Sequence, residues 1–145
     1  MSPDSLDSHH RIVIKAMMEG RVVPLLGAGI NLCDRPLDEV WKREDPRFLP
    51  SGGELAAFLA EYFEYPTGDV RDLVRVSQYA AVMQGLGPLY DELHEIFDAD
   101  YEPSAIHAFL ASLPGIQREK GFKPQFQLIV TTNYDDALER LRRGR

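Results

Sequence analysis

Val22-Val23-Pro24-Leu25-Leu26-Gly27-Ala28-Gly29-Ile30-Asn31 is a short apolar run that ends in a glycine-rich turn. Val22, Val23, Leu25 and Leu26 have the pattern of a buried strand. Pro24 donates no ladder hydrogen bond, so an irregular start is expected. Gly27 and Gly29 follow at once, and glycine lets a backbone turn tightly and approach a ligand with no Cβ in the way. A turn of this kind at a strand end can offer backbone N–H groups to a phosphate. The dinucleotide fingerprint G-x-G-x-x-G is incomplete, because Leu32 stands where the third glycine belongs. On the residues alone, a purely structural tight turn is the alternative reading.

Upstream, a helix is expected over residues 6–19, closed by Gly20. Downstream, residues 32–53 read as loop, with Pro36, Pro46, Pro50 and paired glycines. Helical spacing then dominates. Leu55, Phe58, Leu59 and Tyr62 form one stripe, and Val70, Leu73, Val74, Ser77 and Ala81 a second. Leu86, Leu89, Leu93 and Phe97 form a third. Ile106, Phe109, Leu110 and Leu113 form a fourth, opened by Pro103-Ser104 and closed by Pro114-Gly115. Residues 117–125 read as loop, and residues 126–131 as a second buried strand. A final helix places Asp135 and Asp136 in its first turn and Arg140, Arg142 and Arg143 in its last, the charge order a helix dipole favours. Strand, long helical excursion, strand, helix: the expected class is α/β, a parallel sheet with a helical insertion over about residues 40–115.

A second polar cluster, Thr131-Thr132-Asn133-Tyr134-Asp135, follows the second strand. Ligands of open α/β sheets bind along that edge. Asn133 offers a donor and an acceptor, and Asp135 an anionic acceptor, both suited to ribose hydroxyls or a carboxamide. Helix capping is the competing role for one of the two. Pro103-Ser104-Ala105-Ile106-His107 is a helix start whose histidine lies beside an apolar stripe, the usual setting of a hydrogen-bonded packing residue. Trp41, Tyr62 and Tyr79 read as core or partner-facing aromatics. Cys33 follows the glycine turn with no paired base in view, which argues against a nucleophile.

Sixteen Lys and Arg against 23 Asp and Glu give a net charge of −7 over 145 residues. That sign opposes non-specific binding to nucleic acid or to an anionic membrane surface. With 44% hydrophobic residues the chain can build one core. No apolar run approaches the ~18 residues of a membrane span, and the N-terminus lacks the pattern of a secretory signal. One cysteine excludes an intrachain disulfide, and no Cys/His spacing suggests zinc. A cytoplasmic domain is expected.

The three motifs, in this order, resemble the catalytic domain of the Sir2 (sirtuin) family, and in particular its bacterial SIR2-like branch of NAD hydrolases. GAGIN at 27–31 is similar to the family's GAG-x-S/N loop. PSAIH at 103–107 is similar to its Pro-Ser/Thr-x-x-His helix start, and LIVTTNYD at 128–135 to its strand followed by T-x-N-x-D. The resemblance spans residues 22–139 and implies a Rossmann-like parallel sheet of Sir2 type with NAD as substrate. It implies hydrolysis to nicotinamide and ADP-ribose in anti-phage defence. An NAD-dependent protein deacylase and a non-catalytic nucleotide-binding module are the alternatives.

By that resemblance Gly27, Ala28, Gly29, Asn31, Thr132, Asn133 and Asp135 would bind NAD, the backbone of Ala28 and Gly29 at its diphosphate. Asn133 would be catalytic, orienting the nicotinamide ribose and the attacking water, while His107 would be structural. No metal is implied in this segment. A homo-oligomer, or a fused or partner defence domain, is the implied assembly. Asn31 departs from the commoner serine, and Asp34-Arg35-Pro36 is only a loose counterpart of the family's Pro-Asp-Phe-Arg segment. The family's catalytic histidine follows T-x-N-x-D, whereas no histidine follows His107. The expectation is therefore the N-terminal portion of a truncated catalytic domain.

Overall fold

The computed structural model describes residues 3–45, 47–66, 68–124 and 128–143. Helix α1 (Pro3–Met18) leads into strand β1 (Leu25–Leu26), a 3-10 turn over Ala28–Leu32, and helices α2 (Gly52–Tyr62), α3 (Leu73–Met83), α4 (Leu86–Phe97) and α5 (Ala105–Glu119). Strand β2 (Val130–Thr131) and helix α6 (Ala137–Arg142) follow. β1 and β2 pair in parallel, Leu25 opposite Val130 and Leu26 opposite Thr131. The order is the expected one, in a helix-rich chain with a two-stranded parallel sheet.

Local chemistry explains the boundaries. Gly20 ends α1 at φ +67°, where its N–H donates to the Met17 carbonyl (3.0 Å) and that of Arg21 to Ala16 (2.8 Å). This left-handed closure suits a residue without Cβ. Ser51 caps α2 in a reciprocal box with Glu54. Glu54 also accepts from the Trp41 N–H (2.9 Å) and from the Arg35 guanidinium, whose other branch bonds the Glu39 carbonyl. Arg35 beside it holds the Glu54 carboxyl well below the usual carboxylate range. Loop 35–41 is thereby fastened to the start of α2. Pro24 sits just before β1 and contributes only its carbonyl, which accepts from the Val130 N–H (2.9 Å). Its missing donor costs nothing there.

The core lies among the helices. Leu55, Leu59, Ala60 and Phe63 of α2 and the residue after it pack with Val76 and Ala80 of α3 and Leu89 and Ile96 of α4. Burying Leu59, Phe63 or Val76 is worth about 1.5–3 kcal/mol each. Trp41 meets Phe58 edge-on at 5.6 Å, closing one side. Tyr79 packs on Tyr65 and donates to the Glu64 carbonyl, so it serves the helical layer.

Three expectations need correction. The strands form over only two residues each and are not buried: Leu25 is 71% exposed and Val130 42%, because the apolar helix faces pack on one another rather than on the sheet. Asp135 and Asp136 precede α6 instead of forming its first turn. Helix α5 does not stop at Pro114-Gly115 but runs to Glu119. Pro114 removes one donor, yet Leu113 and Gln117 are both buried, and Gln117 Nε2 donates to the Met17 and Met18 carbonyls at 3.2 Å. Tertiary anchoring on α1 carries the helix past its proline. Residues 126 and 127 of the expected second strand lie outside the described residues.

Candidate functional site

Because β1 and β2 run in parallel, the turn after Leu26 and the loop after Thr131 leave the sheet at the same end. The sequence brings donors and acceptors to both. Thr132 joins them, its N–H donating to the Leu26 carbonyl at 3.0 Å and its hydroxyl to the same oxygen at 3.4 Å. Across 104 residues of sequence, Asn31 Nδ2 donates to Asp135 Oδ2 at 2.9 Å. The other carboxylate oxygen accepts from the Ala137 N–H at 3.2 Å, so Asp135 holds the glycine turn and the start of α6 together. Asp135 thus combines two roles left open by the sequence, helix capping and a place at the strand end.

The third motif joins the same cluster. Asp34, just past the glycine turn, accepts from the Ala105 N–H at the start of α5. His107 is 2% exposed, and its Nδ1 accepts from the Ser104 N–H (3.1 Å) and lies 2.9 Å from Ser104 Oγ. Burial pushes the imidazole below its ordinary pKa, against the pull of Asp135, Glu139 and Asp34. His107 is therefore a neutral capping and packing group, as its sequence setting suggests. Segments 27–34, 104–107 and 131–137 form one contiguous cluster.

Within it, some groups are conspicuously free. The N–H groups of Ala28 and Gly29 have no acceptor among the described residues, whereas that of Ile30 bonds the Gly27 carbonyl at 3.0 Å. Gly27 has φ −116° and Gly29 is not among the positive-φ glycines. A Cβ at Gly27 would lie 3.9 Å from Thr132 Oγ1, and one at Gly29 would meet nothing within 4 Å. Of the two reasons for glycine, tight turning falls away and open approach is left. The Asn133 N–H donates to Thr131 Oγ1 at 3.0 Å, while its buried side-chain oxygen has no partner among the described residues. A buried acceptor left unpaired costs about 1–3 kcal/mol.

Two free N–H donors, on Ala28 and Gly29 with Gly27 before them, suit an anion. An orphaned amide oxygen suits a hydroxyl donor. Together they fit a phosphorylated sugar. Among the described residues of the cluster, neither His107 nor Asp135 stands ready as a general base: His107 Nδ1 is committed to Ser104, and both oxygens of Asp135 accept internal bonds. Cys33 donates weakly to the Gly29 carbonyl at 3.5 Å and has no base beside it. Among the described residues no cluster of His, Cys, Asp and Glu could hold a metal ion, and no helix is long and apolar enough to cross a membrane.

Two features escaped sequence reasoning. Asp34 links the first and third motifs, a contact that its loose likeness to the family's Pro-Asp-Phe-Arg segment did not foretell. Tyr134, between two polar site residues, is 85% exposed and packs against Phe97 of α4. A cavity of about 730 Å³ around Trp41, Arg43 and Tyr101 is lined by none of the motif residues. Compared with known families, curated proteins and solved structures, the chain gives no match.

Proposed function

We propose that this chain is the NAD-binding part of a Sir2-type domain that, when complete, hydrolyses NAD to nicotinamide and ADP-ribose. One observation carries the reading. Three motifs scattered over more than 100 residues converge through the Asn31–Asp135 and Asp34–Ala105 bonds and leave the Asn133 amide oxygen unpaired at the meeting point. The two parallel strands with a helical excursion between them agree with the start of a Rossmann-like sheet of Sir2 type.

In this reading the free N–H groups of Ala28 and Gly29 receive the diphosphate, and Gly27 keeps the approach open. Thr132 holds the strand-end loop against β1. Asn133 orients the nicotinamide ribose and the water that attacks it, and Asp135, tied to Asn31, fixes the loop on which Asn133 sits. NAD supplies a leaving group that is already cationic. Cleavage of the bond from nicotinamide to ribose therefore needs positioning more than acid catalysis. Water adds at the ribose carbon, nicotinamide departs as a neutral base, and the proton from water passes to solvent or to a base elsewhere in the domain. The setting the resemblance carries is cytoplasmic defence against phage.

The test is nicotinamide release from NAD by the full-length protein. Asn133→Ala is expected to lower turnover by about a hundredfold, the usual cost of losing one oriented polar group. Undiminished turnover in Asn133→Ala overturns the role of that residue. A second reading, a nucleotide-binding module without catalysis, is favoured by the lack of a free general base among the described residues of the cluster; NAD binding without nicotinamide release selects it.

A further inference from the structure

Next to the strand-end loop lies an open cavity of about 440 Å³, walled by Tyr90, His94 and Phe97 of α4, Asp98 at its end, and Tyr134 and Asp136 of the loop. The Phe97 and Tyr134 rings stand 5.7 Å apart and are tilted by 40°. That is too close to admit a guest between them. Tyr134 is mostly exposed, which leaves ring surface turned to the opening.

The charges are one-sided. Two carboxylates line the cavity, and no lysine or arginine does. The Asp98 carboxylate has no hydrogen-bond or ion-pair partner among the described residues. Asp136 is shared with Arg140 (Nε to Oδ1, 2.9 Å), which is itself also bonded to Asp100 at 2.6 Å. Arg140 answers Asp136 and Asp100 without lining the cavity, and its Nη2 has no hydrogen-bond partner among the described residues. Helix α4 ends at this cavity, so its last carbonyls add negative potential.

Aromatic faces under a negative field select a particular guest. A small inorganic cation or a primary ammonium keeps a tight hydration shell and gains little from ring surface. A cation whose charge is spread over alkyl groups or a ring sheds water cheaply and uses both the ring faces and the carboxylates. We propose that this cavity binds a poorly hydrated organic monocation, of the quaternary-ammonium or N-alkylpyridinium type. The inference is independent of NAD cleavage, and its test contains no nucleotide.

Calorimetric titration of the chain would use choline, its neutral isostere 3,3-dimethylbutan-1-ol, and N-methylpyridinium. At least one of the two cations is expected to bind about fivefold or more tightly than the neutral alcohol. Tyr134→Leu and Asp98→Asn, both at exposed positions that leave the core intact, are each expected to remove that preference. Tighter binding of choline assigns an alkylammonium guest, and tighter binding of N-methylpyridinium a ring cation; either supports the proposal. Equal affinity for the alcohol and both cations, or an unchanged preference in Tyr134→Leu, overturns it. Because nicotinamide release is measured separately, a failure here leaves the NAD reading standing, and the reverse also holds.

Discussion

At Gly27 and Gly29 the fold itself makes no demand for glycine, since neither has a left-handed backbone and a Cβ would find room at both. Replacing an unstrained glycine by alanine restricts the unfolded chain and stabilises the native one by about 0.4–1 kcal/mol. Gly27→Ala and Gly29→Ala are therefore expected to leave the melting temperature unchanged or raised. Each is expected to weaken NAD binding at least tenfold, by placing a methyl group where the diphosphate approaches. Thermal melts and titrations on the same samples check this. A lowered melting temperature with intact binding would return both glycines to a structural role. Asn31 differs in kind. Its amide is spent on Asp135, so its effect on a ligand runs through the loop it holds.

The cap of helix α5 rests on a group that titrates near neutral pH. His107 Nδ1 accepts from Ser104 only while unprotonated, and burial keeps its pKa below the ordinary value of 6.5 despite the facing carboxylates of Asp34, Asp135 and Glu139. Above pH 6.5 neither state carries the proton. As pH falls through 6.5 toward the lower folded value, the unfolded chain binds a proton first. Stability is therefore expected to drop across that window, and His107→Gln to flatten the drop, as read by denaturant melts between pH 7.5 and 5. Unchanged pH dependence in the variant would contradict the assignment.

Helices α2 to α5 were legible because each carries an apolar stripe at the 3.6-residue period, and two termini because Gly20 and Ser104 announce them; the Ser51 cap of α2 fell inside a stretch read as loop. What periodicity could not supply was partnership. The stripe of α5 ends on paper at Pro114, and only the bonds from Gln117 to the end of α1 explain why the helix goes on. Leu25 and Val130 have the apolar pattern of a buried strand, yet the helices spend their apolar faces on each other. The motif residues were readable one by one; that Asn31 would meet Asp135, and Asp34 the start of α5, is a property of the fold. The ring surface of Tyr134 against Phe97 left no mark in the spacing.

Over the whole molecule, structure and chemistry occupy different places. The packed core belongs to α2, α3 and α4. The small parallel sheet, outside that core, brings the glycine turn and the Asn133 loop to one end. The chain's net charge of −7 makes free backbone N–H groups a more selective feature, since the general field repels anions and only local donors can hold one. The most direct measurement is a calorimetric titration of residues 1–145 with NAD, beside Asn133→Ala. Saturable one-to-one binding is expected, weakened about tenfold or more in Asn133→Ala, the order of one hydrogen bond lost in a buried site. Absence of NAD binding, or equal binding by the variant, would contradict it.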